Sequence, residues 1–521
     1  MEKTVEPASF TTSFLGNSTM ASLPEFDTSV IQKSSVLLLV LWLSAVVFYR
    51  LWLHPLSGVP GPFLARLSSI WITRKYMGKS WHEDVVDLHK RYGRVVRITP
   101  NEVSVVDEQA MKSLYSHRQN TAKSSWYNAW VVPGGSAALF AERDKKLHGF
   151  LRKRVSHAFS VSSLLTMEEY IQSCLDTFMS KMDKFAKAQS DVNMSDWTNA
   201  LAFDVIGELG YGEAFGHMET ESDVLDLRST ILRGFKALSM VGYLPGQSRL
   251  LDNPITKLFS ASPTDQFGLY TMKKLQDRKS EKDTPRTDLL HYWMNMKRAD
   301  GTPARDEEVF TEMFSIIGGG GDTTSILMRA CFYYLGKHSA VYATLQKELD
   351  DSLSGYHLSD HISYKETQKL PFLQAFVKES ARLWPSIVWQ LPRESPADGL
   401  TILDRYFIPA GYSISISPMA QNRDVAIYGN DAEVFKPERW LESDEVSRKL
   451  DGLSMTFGGN GPRACMGKNL ALMEVQLLMA RFMKHFDFEF VNQQTPWNVN
   501  ASWFASQNDL WIKVRSRSSS K

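Results

Sequence analysis

The sequence predicts a mainly α-helical protein with small β-sheets, preceded by one N-terminal transmembrane helix. Three observations carry this reading. Apolar residues recur at helical spacing through most of the chain, β-rich runs are few and short, and Val36 to Leu53 (VLLLVLWLSAVVFYRLWL) is apolar apart from Ser44 and Arg50. With 521 residues, 43% of them hydrophobic and 12% aromatic, the chain can bury a large core. Length alone allows about three domains, but past the N-terminal region there is no repeat, low-complexity stretch or long Gly/Ser linker. One large domain is therefore expected.

Charge and cysteine content narrow the function. Lys plus Arg (59) nearly cancels Asp plus Glu (58), which argues against a polyelectrolyte surface for nucleic acid and favours small-molecule or protein partners. Cys174, Cys331 and Cys465 form no C-x-x-C pair, so neither a disulfide framework nor a structural zinc site is indicated, and a reducing compartment is expected. Cys174 and Cys331 lie in apolar helical runs and read as small buried hydrophobes.

The elements follow in chain order. Residues 1–35 are polar and slightly acidic and read as a short lumenal N-terminus. Residues 36–53 are an uncleaved anchor, since a signal peptide would begin near residue 1 with a basic segment. Arg50, Arg66, Arg74 and Lys75 follow the span, against Lys3 and Lys33 before it, so the bulk of the chain is expected to face the cytosol. Asn17-Ser18-Thr19 is then a lumenal glycosylation sequon. Prolines 55, 60 and 62 make residues 54–66 a stiff hinge, and 67–521 are expected to form the large domain. In that domain Val95 to Val106 reads as a hairpin. Helices are expected around Leu147–Phe159, Leu164–Phe185, Trp197–Gly207, Asp306–Gly336, Val341–Leu353 and Leu373–Leu383, and short strands at Leu400–Leu403, Tyr412–Ile416 and Phe486–Val491.

The run from Asp306 to Gly336 opens with acidic residues and closes before Lys337-His338, matching the helix dipole. It would span roughly 45 Å as one helix. Gly318 to Gly321 interrupt it, at about 1 kcal/mol each relative to alanine. Either they break it into two helices, or one helix gives up local stability so that something flat can lie against bare backbone.

Cys465 stands apart from the other two cysteines. It lies in TFGGNGPRACMGKNLALM, between Arg463 and Gly467, just before a helix starting near Lys468. Glycines in such density serve sharp turns or close approach, and a helix N-terminus stabilises a thiolate. A nucleophilic cysteine would need a paired histidine, and none can be assigned.

FGGNGPRACMG resembles the haem-binding loop of the cytochrome P450 family, F-x-x-G-x-R-x-C-x-G. Gly461, Arg463, Cys465 and Gly467 are in register, while Phe457 stands one residue further from the cysteine than the pattern has it, with Gly458 in the aromatic position. The resemblance continues in the family's order. GGGDTT resembles its oxygen-activating motif, KESARLWP holds Glu379 and Arg382 at E-x-x-R spacing, and FKPERW supplies Arg439 as third member of that network. HPLSGVPGP, FDVIGELGYGEAFG and RKRVSHAFS are similar to fungal microsomal members.

The resemblance implies the cytochrome P450 fold, haem b with Cys465 as iron ligand, and Asp322 and Thr323 handling protons for O2 activation. It implies His148 (replacing a tryptophan), Arg152, Arg393 and Arg463 at the haem carboxylates. Glu379, Arg382 and Arg439 would form a structural network. Trp126, Trp130, Ile387, Val388, Trp389, Trp503 and Phe504 fall in pocket-bordering segments and suit a bulky apolar substrate such as a fungal polyketide, terpenoid or alkaloid intermediate. No flavin or nicotinamide domain is visible, so NADPH–cytochrome P450 reductase in the endoplasmic reticulum membrane is the implied electron donor, with cytochrome b5 as a second. Lys145, Lys146, Lys153 and Arg154 give the His148 helix a basic face, read either as solvated or as docking an acidic donor. The competing readings are a haem-thiolate isomerase or dehydratase that does not use O2, a xenobiotic or aromatic-acid hydroxylase, and a non-catalytic membrane-tethered helical binding protein.

Overall fold

The computed structural model describes residues 28–116, 121–131, 138–244, 246–247, 263–281, 286–358 and 360–517. Asn17 lies outside them. The chain divides into two compact units, Met1–His54 and Pro55–Lys521.

In the first unit a helix runs Thr28–Phe48 and continues as a π-helical turn, Tyr49–Leu53. Gln32–Leu53 is the one stretch among the described residues long and apolar enough to cross a membrane. It begins before Val36 because backbone hydrogen bonding carries the helix through the polar residues that precede the apolar run.

In the second unit the expected hinge does not hang free. Leu56 and Val59 are buried, and Arg97 N–H donates to the Pro60 carbonyl at 2.7 Å. A Cβ on Gly61 would strike the Arg97 carbonyl, so only glycine lets the two backbones pass.

The remainder is mostly helical. The 32-residue helix Asp306–Lys337 is continuous through all four glycines. Its start is fixed by Arg305 N–H donating to Glu308 Oε2 at 3.1 Å, and acidic residues fill its first turn. Lys468–His485 and Pro371–Leu383 pack against it, as does the almost wholly buried Met194–Tyr211.

Strands are confined to small sheets. The hairpin Val95–Thr99/Glu102–Val105 is extended by Ser413–Ile416, parallel to its second strand, and then by Arg393–Glu394, antiparallel. Phe486–Phe490 pairs with Trp511–Ser516, which also pairs with Asp191–Asn193. Leu400–Ile402/Tyr406–Ile408 and Asn498–Ala501/Ala505–Asn508 are two-stranded. Asp191–Asn193, Asn498–Ala501 and Ala505–Asn508 are too short and polar to be read as strands from sequence; long-range pairing creates them. Cys174 and Cys331 are buried, and burial pushes the Cys331 thiol up to about 12.

Candidate active site

Four pieces of backbone build the site, and the cysteine loop is first. Gly458 and Gly459 take φ of +76° and +83°, in the left-handed region. A Cβ on Gly461 would strike the Tyr115 carbonyl. These glycines therefore serve the turn and its passage against Tyr115. Cys465 N–H donates to the Phe457 carbonyl at 2.8 Å, so the displaced phenylalanine closes the loop through its backbone. Cys465 is accessible, although protein crowds around its thiol. Burial raises this thiol above 9.0; the N–H groups of Gly467 and Lys468 and the charge of Arg152 act against that rise.

Second, cations gather beside the loop. Arg152 donates to the Ala464 carbonyl at 2.7 Å, and Arg463 donates to the carbonyls of Glu142 (2.9 Å) and Arg143 (3.2 Å). The Arg463 Nε is buried with no partner among the described residues. Arg393 donates to the Tyr127 hydroxyl at 3.1 Å and to the carbonyls of Leu391 and Pro392. Lys123, which sequence reading missed because it is a lone lysine, is buried and donates to the Phe140 carbonyl at 2.5 Å. Burial and these neighbours hold Lys123 well below its usual value and His148 at about 3, so His148 is neutral. Among the described residues no carboxylate pairs with Lys123, Arg152, Arg393 or Arg463. A macrocycle bearing two carboxylates and a metal that accepts a thiolate fits this donor set. On the same helix Lys145, Lys146 and Lys153 are exposed. Arg154 is not solvated: it pairs with Glu308 at 2.7 Å and Glu312 at 3.5 Å on the central helix.

Third, the glycines of the central helix divide by direction. A Cβ on Gly318, Gly320 or Gly321 would be driven into Phe235, Ile206 or Phe203 respectively, whereas one on Gly319 would meet nothing within 4 Å. Three glycines thus serve packing against neighbouring helices, and one leaves a face open. Thr323, one turn on, donates to the Gly319 carbonyl at 2.5 Å. Asp322 turns instead toward Met194–Tyr211: Asn199 donates to its Oδ1 at 3.0 Å, and its Oδ2 is buried without a partner among the described residues. Burial raises its carboxyl to about 6, against the pull of Arg329 and Asn199. Neither partner sits in a recognisable motif, so their role shows only in three dimensions.

Fourth, Glu379 is fully buried. Arg382 donates to both its oxygens at 2.8 Å, Arg439 to Oε1 at 3.0 Å and Trp440 Nε1 to Oε2 at 2.9 Å. Burial raises the carboxyl, but Arg382 and Arg439 outweigh it and hold it below 4.5. Arg382 also donates to the Asn422 carbonyl at 2.6 Å. Asn422 then receives Met455 N–H at 2.9 Å and donates to the Thr456 hydroxyl at 3.0 Å, which ties the network to the strand of chain entering the cysteine loop.

Trp126, Trp130, Val388, Trp389, Trp503 and Phe504 all fall in one buried cluster. Trp126 stacks on Trp503 with centroids 5.4 Å apart, and Phe504 stacks on Phe235, the ring that meets Gly318. The cluster therefore abuts the central helix next to its open face.

The family model for cytochrome P450 matches residues 58–512. The cytochrome P450 monooxygenase gsfF of Penicillium aethiopicum is 34% identical over 483 residues, covering 89% of this chain and 94% of the relative. The monooxygenase cicH of Emericella nidulans is 32% identical, covering 92% and 98%. Pisatin demethylase of Fusarium vanettenii is 30% identical, covering 90% and 92%. Haem held through a cysteine thiolate is the cofactor of such proteins. The chain belongs to the cytochrome P450 family and is a haem-thiolate monooxygenase.

Proposed function

We propose that this protein inserts one oxygen atom of O2 into a bulky apolar small molecule of fungal secondary metabolism, by hydroxylation, epoxidation or a related oxidation. Thiolate-bound haem supplies O2 binding and cleavage. Cys465 is its ligand, and Lys123, His148, Arg152, Arg393 and Arg463 hold its carboxylates. The observation that carries this reading is the set of buried (Lys123, Arg393) and half-buried (Arg152, Arg463) cations without carboxylate partners among the described residues, beside an accessible thiol. Thr323 holds a proton at Oγ1 on the open Gly319 face, and Asp322 moves protons inward. The Trp126–Trp503 cluster binds substrate and excludes water. Glu379, Arg382 and Arg439 hold the loop that carries Cys465.

Residues 36–53 anchor the chain in the endoplasmic reticulum membrane, with the catalytic domain cytosolic and Asn17 lumenal. NADPH–cytochrome P450 reductase and cytochrome b5 supply electrons. The reading is tested by screening polyketide, terpenoid and alkaloid scaffolds for changes in the haem spectrum. Binders are then incubated with reductase, NADPH and isotopically labelled O2. One labelled oxygen per product is expected; products without label would overturn it.

A further inference from the structure

Asp322 belongs to a buried polar chain that links two helices and a strand. On the central helix Asp322, Ser325 and Arg329 are all buried, as are Thr198 and Asn199 on Met194–Tyr211. Asn199 Nδ2 donates to Asp322 Oδ1 at 3.0 Å and to Ser325 Oγ at 3.2 Å. The Ser325 hydroxyl donates its own proton to the Asp322 carbonyl at 2.9 Å and accepts from Arg329 Nη2 at 3.3 Å. Arg329 also donates from Nε to Thr198 Oγ1 at 3.3 Å and from Nη1 to the Gln507 carbonyl at 2.8 Å.

These bonds fix directions. A hydroxyl whose proton is committed can only accept from Asn199, so the Asn199 amide turns its nitrogen, and not its oxygen, to Ser325 and Asp322. Oδ1 of Asp322 is thereby held. Oδ2, buried without a partner among the described residues, is the oxygen left to take up and release a proton.

Charge points the same way. Every acceptor of Arg329 among the described residues is neutral, and a buried cation without an anion is costly. Asp322 stands seven residues before Arg329, about two turns back on the same face and about 10 Å along the axis. The other charges felt by Asp322, those of Arg228 and Asp223, pull in opposite directions and lie 3.6 Å apart, while Asp196 faces Arg329 from the neighbouring helix. Burial raises the carboxyl to about 6 and lowers Arg329 to about 10, so both are ionised at neutral pH.

We propose that Asn199 and Arg329 are positioning residues for proton delivery: Asn199 holds the Asp322 carboxyl by one oxygen so that the other exchanges the proton, and Arg329 is the buried counter-charge that lets the carboxylate form. This rests on reading Asp322 as the residue that moves protons inward.

The test follows two readouts: the pH profile of product formation by the holoenzyme with reductase, and the infrared C=O band of the protonated carboxyl that Asp322→Asn removes. In the wild type both should titrate near pH 6. Asn199→Leu and Arg329→Met each remove a favourable interaction with the carboxylate and should move both readouts upward by about one pH unit, the size of one hydrogen bond to a charged group. Arg329→Lys keeps the charge and should bring the titration back toward pH 6. Tyr211→Phe loses a hydrogen bond between the same two helices, from its hydroxyl to the Met313 carbonyl at 2.9 Å, and should shift nothing. An unshifted titration in Asn199→Leu or in folded Arg329→Met would overturn the inference and leave Asp322 its role. So would an equal shift in Tyr211→Phe, which would trace the change to helix packing. Where Arg329→Met does not load haem, the two readouts of Asn199→Leu decide. If Asp322→Asn alters neither the profile nor the band, the reading of Asp322 falls and the inference with it.

Discussion

Gly319 and Thr323 stand one turn apart on one face of the central helix, with the threonine hydroxyl donating to the glycine carbonyl at 2.5 Å. Among the described residues the hydroxyl bonds within its own helix alone. Thr323→Ala should therefore fold and load haem as the wild type does. NADPH consumption should continue while product falls and hydrogen peroxide rises, counted in one reaction with reductase. Unchanged product per NADPH would mean that the proton path uses another group.

The glycine run gives a sharper contrast. Gly321→Ala would place a Cβ 2.5 Å from the Phe203 ring and should cost about 1–3 kcal/mol by overpacking. Gly319→Ala meets no atom within 4 Å and should gain up to about 1 kcal/mol from helix propensity, yet slow carbon monoxide binding by filling the open face. Thermal melts and flash photolysis measure the two effects.

Asp322 sets a pH dependence. Its folded value, about 6, lies above its ordinary 3.8, so folding favours the protonated form and stability falls as pH rises between the two values. Asp322→Asn should lack that slope in denaturant titrations. Wild-type turnover should also carry a titration near pH 6 that the variant lacks.

Glu379 works with the opposite sign. Its carboxyl is held below 4.5, so its contribution is present above that value and lost as pH falls through the lower folded one. Glu379→Gln leaves Arg382 and Arg439 buried without their shared anion and should cost about 3–5 kcal/mol. Because Asn422 couples the network to Thr456, haem content should fall before helix content does. A variant with full haem and lowered stability would separate the network from the loop.

Cys465→Ala should remove the carbon monoxide difference band that signals thiolate ligation in the reduced protein. Retention of that band would overturn the ligand assignment.

Local sequence determined much of this protein. The N-terminal apolar helix, the other helices and the cysteine loop are legible because hydrophobic periodicity, capping residues and glycine density act over a few residues. Motif spacing likewise picked out Glu379, Arg382 and Arg439, whose partners lie at fixed offsets. What the glycines of the central helix do is another matter: the same four letters left a break as an alternative to one helix, and only the approach of Phe203, Ile206 and Phe235 shows three of them packing helices and one open. Lys123, Asn199, Asn422 and Arg329 carried no signal, since each acquires its role from residues tens to hundreds of positions away. The direction of Asp322, away from Thr323, was decided the same way. Burial and unmet hydrogen bonds belong to the packed chain, because both depend on which distant surfaces exclude water from a given atom.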